Sequence, residues 1–138
     1  MKVILDTSFF IELKKGNKKA VKALEKIKDR CEDILVSSLT VYELLVGANY
    51  IWKKYGDARE MLKVQDMLKF LTEVEVGSEV VKKAAETKAE LMVRGKDVPD
   101  IDILIACSDD AEILTFDRDF EPLKDLDLKI TILEDEGG

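Results

Sequence analysis

The 138-residue sequence predicts an α/β fold in three layers, α/β/α, with a central, mostly parallel sheet of four to five strands. Three observations carry this reading. Short apolar runs at 3–5 and 34–36 read as strands buried on both faces, the habit of parallel sheets. Segments with apolar residues at helical spacing separate the strands. The element order is therefore β-α-α-β-α-α-β-α-α-β-α-β, and crossover connections of this kind lay helices over both faces.

The first strand, Val3, Ile4 and Leu5, stops abruptly on Asp6, Thr7 and Ser8. Thr7 or Ser8 can cap a short helix over 9–13. Gly16 and Asn17 break the pattern, and Asn17 can cap a helix over 18–29 with Ala20, Val21, Leu24 and Ile27 inward. Lys18, Lys19, Lys22, Lys26 and Lys28 fall on its other face, as a solvated surface or as a basic rim that guides a polyanion. After the second strand, Ser37 and Ser38 cap a long helix to 55, and Glu43 lies one turn into it. Asp57 caps a helix over 58–70, which completes an αα-hairpin. Ala48, Ile51, Trp52, Tyr55 and Met61 supply more apolar surface than one small domain needs, which suggests ordinary hairpin packing or a dimer or partner face. Residues 72–76 alternate into a third strand with one face or edge in water. Ser78 caps a helix to 94, and 95–99 form a loop ending at Pro99, which suits a first helical turn. The helix over 100–108 is almost wholly apolar after Asp102 and reads as a buried central helix. The fourth strand, 112–115, ends on Phe116, Asp117, Arg118 and Asp119. Residues 121–126 form a turn or short helix, and 129–133 a last strand, at an edge. One domain over 1–134 with a frayed tail over 135–138 is expected.

Composition narrows the chemistry. The net charge of −7, from 29 acids against 22 bases, argues against simple binding to a nucleic-acid backbone. It leaves room for a nuclease whose acids gather at a metal site. The chain contains no histidine. That removes imidazole acid–base catalysis, Ser-His-Asp and Cys-His pairs, and the usual zinc sites. Cys31 and Cys107 lack metal-ligand spacing and read as reduced thiols, Cys107 buried, in a cytoplasmic protein. No apolar run is long enough to span a bilayer, and no membrane association is expected.

What remains is carboxylate. Asp6 and Asp117 end strands, and Glu43 and Asp102 sit early in helices that leave the same sheet edge. In an open α/β sheet this edge forms the ligand crevice. Each acid also has a local explanation, as a helix cap or as a partner of the helix dipole. Asp100 and Asp102 can both cap or bind, and Asp102 is the more inward. Two carboxylates 4 Å apart repel by roughly 4 kcal/mol at an effective dielectric near 20, a conflict that a hard divalent cation removes. Mg²⁺ or Mn²⁺ prefers such oxygens and binds phosphate, so metal-activated water attacking a phosphodiester is the natural chemistry. Thr7, Ser8 and Thr115 can orient carboxylates or waters. An aspartyl-phosphate phosphatase is disfavoured because Ser8 stands where a second acid is wanted. A receiver domain is disfavoured because the fourth strand ends in Thr115 rather than lysine.

Leu-Asp-Thr-Ser at 5–8, Tyr-Glu-Leu at 42–44, Asp-Ile-Leu-Ile-Ala at 102–106 and Leu-Thr-Phe-Asp-Arg-Asp-Phe at 114–120 resemble the PIN domain, and within it the VapC-type toxins of toxin–antitoxin pairs. The resemblance covers nearly the whole chain in the right order. It implies a metal-dependent endoribonuclease with Mg²⁺ or Mn²⁺ held by Asp6, Glu43, Asp102 and Asp117. Asp119 matches a less constant further acid, and Asp100 is an extra carboxylate that leaves the third position open between Asp100 and Asp102. The resemblance further implies an RNA substrate, a homodimer and a cognate antitoxin partner. A housekeeping PIN nuclease in RNA processing and a catalytically silent PIN-like interaction module are the alternative readings.

Overall fold

The computed structural model describes residues 1–30 and 33–134. Cys31 and the tail at 135–138 lie outside the described residues. The chain forms β1 (Lys2–Leu5), α1 (Thr7–Lys14), α2 (Lys18–Asp29), β2 (Asp33–Ser37), α3 (Ser38–Tyr55), α4 (Arg59–Leu68), β3 (Thr72–Val74), α5 (Ser78–Val93), α6 (Asp100–Ala106), β4 (Glu112–Thr115), a 3-10 helix (Arg118–Asp125) and β5 (Ile130–Ile132). The element order is the one the periodicity predicts.

All strand pairings are parallel, in the order β3-β2-β1-β4-β5. Strands 1 to 3 step to one side, and β4 then returns to the other flank of β1. The reversal leaves a crevice beyond the carboxyl ends of β1 and β4, where Leu5 pairs with Leu114. Asp6 and Asp117 follow those two ends.

Alternation along the central strands separates two cores. Ile4, Leu35 and Ile113 face α5, α6 and the 3-10 helix, against Leu91, Ile103, Phe120 and Leu123. Val3, Leu5, Val36 and Leu114 face the α1–α4 layer, against Phe9, Phe10, Ile27 and Val64. Each central strand is therefore apolar on both faces, which is why its sequence reads as an unbroken apolar run.

Several boundaries differ from the sequence reading. α1 begins at Thr7 because Asp6, rather than Thr7 or Ser8, is its N-cap: an Asp6 oxygen accepts from Phe9 N. α4 starts one residue later than expected, with Asp57 Oδ1 accepting from Arg59 N. Ser78 is the first residue of α5, and Gly77 occupies the cap position. β3 is shorter than expected, since its pairing with β2 ends at Val74 opposite Ser37. α6 stops at Ala106, and Cys107, at its C-cap, is buried as expected, with burial raising its thiol above the ordinary value. The α3–α4 hairpin closes where Gly56, at φ 65°, caps α3 in the left-handed conformation.

The apolar surplus of that hairpin divides. Ala48 is buried and Met61 packs against the core, whereas Tyr42, Val46, Tyr50, Trp52, Tyr55 and Leu62 are exposed. Among the described residues, no helix is long and apolar enough to cross a membrane.

Phe120 is 0% exposed and anchors the segment that follows β4, whereas Phe70 is 81% exposed. Phe120→Ala is expected to destabilise the fold by about 3–5 kcal/mol in urea unfolding. Phe70→Ala should stay within about 0.5 kcal/mol of the parent.

Candidate active site

The sheet edge at β1 and β4 gathers acids from four separate parts of the chain. Asp6 is 3% exposed and rooted between the two strands. Its backbone N donates to Leu114 O at 3.3 Å. Thr115 Oγ1 donates to Asp6 Oδ2 at 2.7 Å, and Ser8 Oγ lies 2.9 Å from both carboxylate oxygens. Ser8 Oγ in turn accepts from Phe116 N at 3.0 Å, and Thr115 Oγ1 accepts from Asp117 N at 2.9 Å. The two hydroxyls thus tie Asp6 to the backbone that carries Asp117. The sequence reading offered helix cap and site acid as alternatives for Asp6; the carboxylate caps α1 and lies at the same sheet edge as the other acids.

Asp117 caps the 3-10 helix, its Oδ1 accepting from Asp119 N at 2.9 Å. That turn holds the carboxylates of Asp117 and Asp119 together. Across the crevice, Asp102 stands in the first turn of α6. Asp102, Asp117 and Asp119 each offer a carboxylate oxygen, all within 4.8 Å of one another. Glu43 projects from α3, where Thr7 Oγ1 donates to its Oε1 at 2.6 Å and lies 3.3 Å from Thr40 Oγ1. Thr40 went unnoticed in the sequence. The available signal was its position three residues before Glu43, on the same helical face.

Asp100 goes elsewhere. Its carboxylate pairs with Lys88 Nζ at 3.1 Å on the α5 side. The same ammonium donates to Val98 O at 3.2 Å and to Asp97 at 3.4 Å. Lys88 therefore steadies the entry to α6, whose N-cap, Pro99, makes no side-chain cap bond. Of the two acids left open at this position, Asp102 faces the cluster and Asp100 does not.

Electrostatics agrees with the geometry. Burial pushes the Asp6 carboxyl up to about 6, against the opposing hydrogen bonds from Thr115, Ser8 and Phe9 N. Asp102 is pushed up to about 7, first by burial and then by repulsion from Asp117, Asp6, Asp119 and Glu43. Every other acid of the group contributes to that repulsion, so they share one electrostatic neighbourhood. The donor set is hard oxygen throughout, and the chain has no histidine to add. Such a set fits Mg²⁺ or Mn²⁺.

The family model described as PIN domain matches residues 3–126. No curated protein matches the sequence. Among solved structures, the chain is similar to one from VapBC2 of Rickettsia felis, bound to a DNA fragment from their promoter, at 20% identity and TM-score 0.81 over 97% of this chain and 100% of that one. A chain of DNA-bound VapBC from Salmonella typhimurium matches at 22% identity and TM-score 0.79, over 96% of this chain and 98% of that one. A chain of VapBC-5 from Mycobacterium tuberculosis, a member of the VapBC family of toxin–antitoxin systems, matches at 20% identity and TM-score 0.69, over 97% and 99%. At these identities the likeness concerns the fold.

The folded, metal-free protein holds protons on Asp6 and Asp102 that the unfolded chain releases near pH 4. The associated stability is complete below that pH and is lost as pH rises through about 6 and about 7. Asp102→Asn removes one such group. In the metal-free protein it should raise Tm by a few degrees at pH 8, about 1 kcal/mol after solvent screening, and the gain should vanish only once the pH falls below about 4, being gone by about pH 3. Differential scanning calorimetry in a chelator, at both pH values, checks this.

Proposed function

The chain belongs to the PIN domain family, and on that premise we propose that it is a divalent-metal-dependent endoribonuclease acting as the toxin of a toxin–antitoxin pair. The family is generally one of nucleases. The observation that carries the reading is the convergence on Asp102: the carboxylates of Asp117 and Asp119 beside it, with Asp6 and Glu43 in the same field. Asp6, Glu43, Asp102 and Asp117 would hold Mg²⁺ or Mn²⁺, with Asp119 as a further ligand. When bound, the ion supplies charge neutralisation, a grip on the phosphate and an acidified water for in-line attack at phosphorus.

The chain's own residues prepare that site. Ser8 and Thr115 fix the orientation of Asp6 with hydrogen bonds that favour its charged form, and Thr7 Oγ1 holds the Glu43 carboxylate in place. Asp117 is held by the cap of the 3-10 helix, and Asp102 by the first turn of α6. A carboxylate set fixed in this way resists collapse when a charged substrate arrives. Hydrolysis leaves a 5′-phosphate and a 3′-hydroxyl.

The antitoxin partner is proposed from the solved structures this fold matches, which are VapBC assemblies. The homodimer is proposed on α3, where Tyr42, Val46, Tyr50 and Tyr55 are exposed.

Purified protein should cleave single-stranded RNA with Mg²⁺ or Mn²⁺, stop in excess EDTA and recover on metal addition. Asp6→Asn and Asp117→Asn should each slow cleavage about a hundredfold or more while keeping the fold. Cleavage that survives EDTA overturns the mechanism, and loss of growth inhibition in Asp6→Asn separates the enzyme from a silent interaction module. For the assembly, Tyr42→Glu with Val46→Glu should convert a dimer to a monomer in sedimentation equilibrium.

A further inference from the structure

The chain is acidic overall, at −7, yet one surface is densely cationic. An open groove of about 670 Å³ at the α1–α2 corner is lined by Glu12, Lys15, Asn17, Lys18, Lys19 and Lys22. Its one carboxylate, Glu12, is paired with Lys15 at 3.4 Å. Lys18 and Lys22 are exposed and have no ion-pair partner among the described residues, and Lys26 continues the ridge one turn further along α2. Lysines at this spacing repel one another, with Cβ atoms about 5–6 Å apart. They also open a helix with no acidic residue in its first turn, at the end where the macrodipole disfavours cations. Local rules broken in this way are a mark of functional surface.

A chain of side-chain contacts links the groove to the acidic edge. Lys19 Nζ bonds the Glu134 carbonyl, and the Glu134 carboxylate bonds Arg118. Arg118 stands between Asp117 and Asp119 in the chain. A row of cations therefore begins beside the acid cluster and runs onto α2.

We propose that Arg118, Lys19, Lys18 and Lys22 form a track for the sugar–phosphate backbone of single-stranded RNA, extending the substrate away from the bond cleaved at the acidic edge. This rests on the nuclease reading above for the identity of the edge. Charge complementarity commits the surface to a polyanion. The length of the row, more than one helical turn, suits a strand rather than a single anion. Glu134 occupies the two ends of the junction, Arg118 and Lys19, so an arriving phosphate takes its place there.

The test uses the full chain carrying Asp117→Asn, so that RNA is bound and not cut. Anisotropy of a labelled single-stranded RNA of about 12 nucleotides is followed in Mg²⁺ across a salt series. Adding K18Q, K19Q and K22Q should weaken binding at least about tenfold and flatten the log–log salt slope by about 2, the counterions of three phosphates. Lys82→Gln, Lys83→Gln and Lys96→Gln, on the opposite face, remove the same charge and should leave both readings near the parent. Equal loss in the two triple variants, unchanged binding in the first, no RNA binding by the parent, or tighter binding of a poly-glutamate peptide than of RNA overturns the track. In the otherwise native chain, the α2 triple variant should raise KM for the long RNA and keep kcat and the cleavage of a dinucleotide. A native chain that binds RNA through these lysines but cuts none would overturn the nuclease reading and leave the track standing. A chain that cuts RNA with lysine-independent affinity would do the reverse.

Discussion

Carboxylates repel one another and resist leaving water, and both penalties meet at a single sheet edge. Asp6 is buried beneath it, Asp102 is half-buried across from it, and Asp117 and Asp119 complete the ring. The fold can hold such a group only because hydroxyls and backbone amides at the edge are already aimed at it. Thr115, Ser8 and Phe9 N surround Asp6, Thr7 meets Glu43, and Asp119 N meets Asp117. Burial raises the proton affinity of Asp6, and burial followed by repulsion from the other acids raises that of Asp102. The repulsion felt by Asp102 is the part of this penalty that a hard cation would relieve.

Topology decides which acids meet. The return of β4 to the flank of β1 brings Asp117 beside Asp6 although more than a hundred residues separate them. The hydrophobic division of the sheet supports this arrangement. α1 is pinned by Phe9 and Phe10 on one face, and α6 by Ile103 and Ile105 on the other. The acids therefore approach from helices on opposite layers and meet over the strand ends. Little freedom remains at the roots of these side chains, and what remains lies at Asp119, the exposed member of the cluster.

Much of this is legible in the residues themselves. Apolar runs bounded by Asp-Thr-Ser and by Thr-Phe-Asp mark strand ends, and the missing histidines leave oxygen as the ligand chemistry. The choice between Asp100 and Asp102 was open because both precede the same apolar run, one residue apart. Lys88, on another helix, separates them by drawing Asp100 away, and no local pattern encodes that pairing. The cap of α1 is open in the sequence among Asp6, Thr7 and Ser8, because all three are good cap residues in isolation. The hydroxyls of Thr7 and Ser8 are instead engaged with Glu43 and Asp6. The exposed share of the α3–α4 hairpin was also blurred, since Ala48 and Trp52 share a helix but face different surroundings. Only the packing of α4 against α3 sorts them.

The two borders of the sheet, β3 and β5, are three residues each, and Thr72 and Glu73 of β3 stand exposed. Borders this short give a foreign strand almost no ladder to extend. Stitching onto the sheet is thereby discouraged, in the native dimension as well as in misfolded aggregates. The helix surfaces are then the broad faces left open to contact, and their side chains can change without disturbing the scaffold beneath.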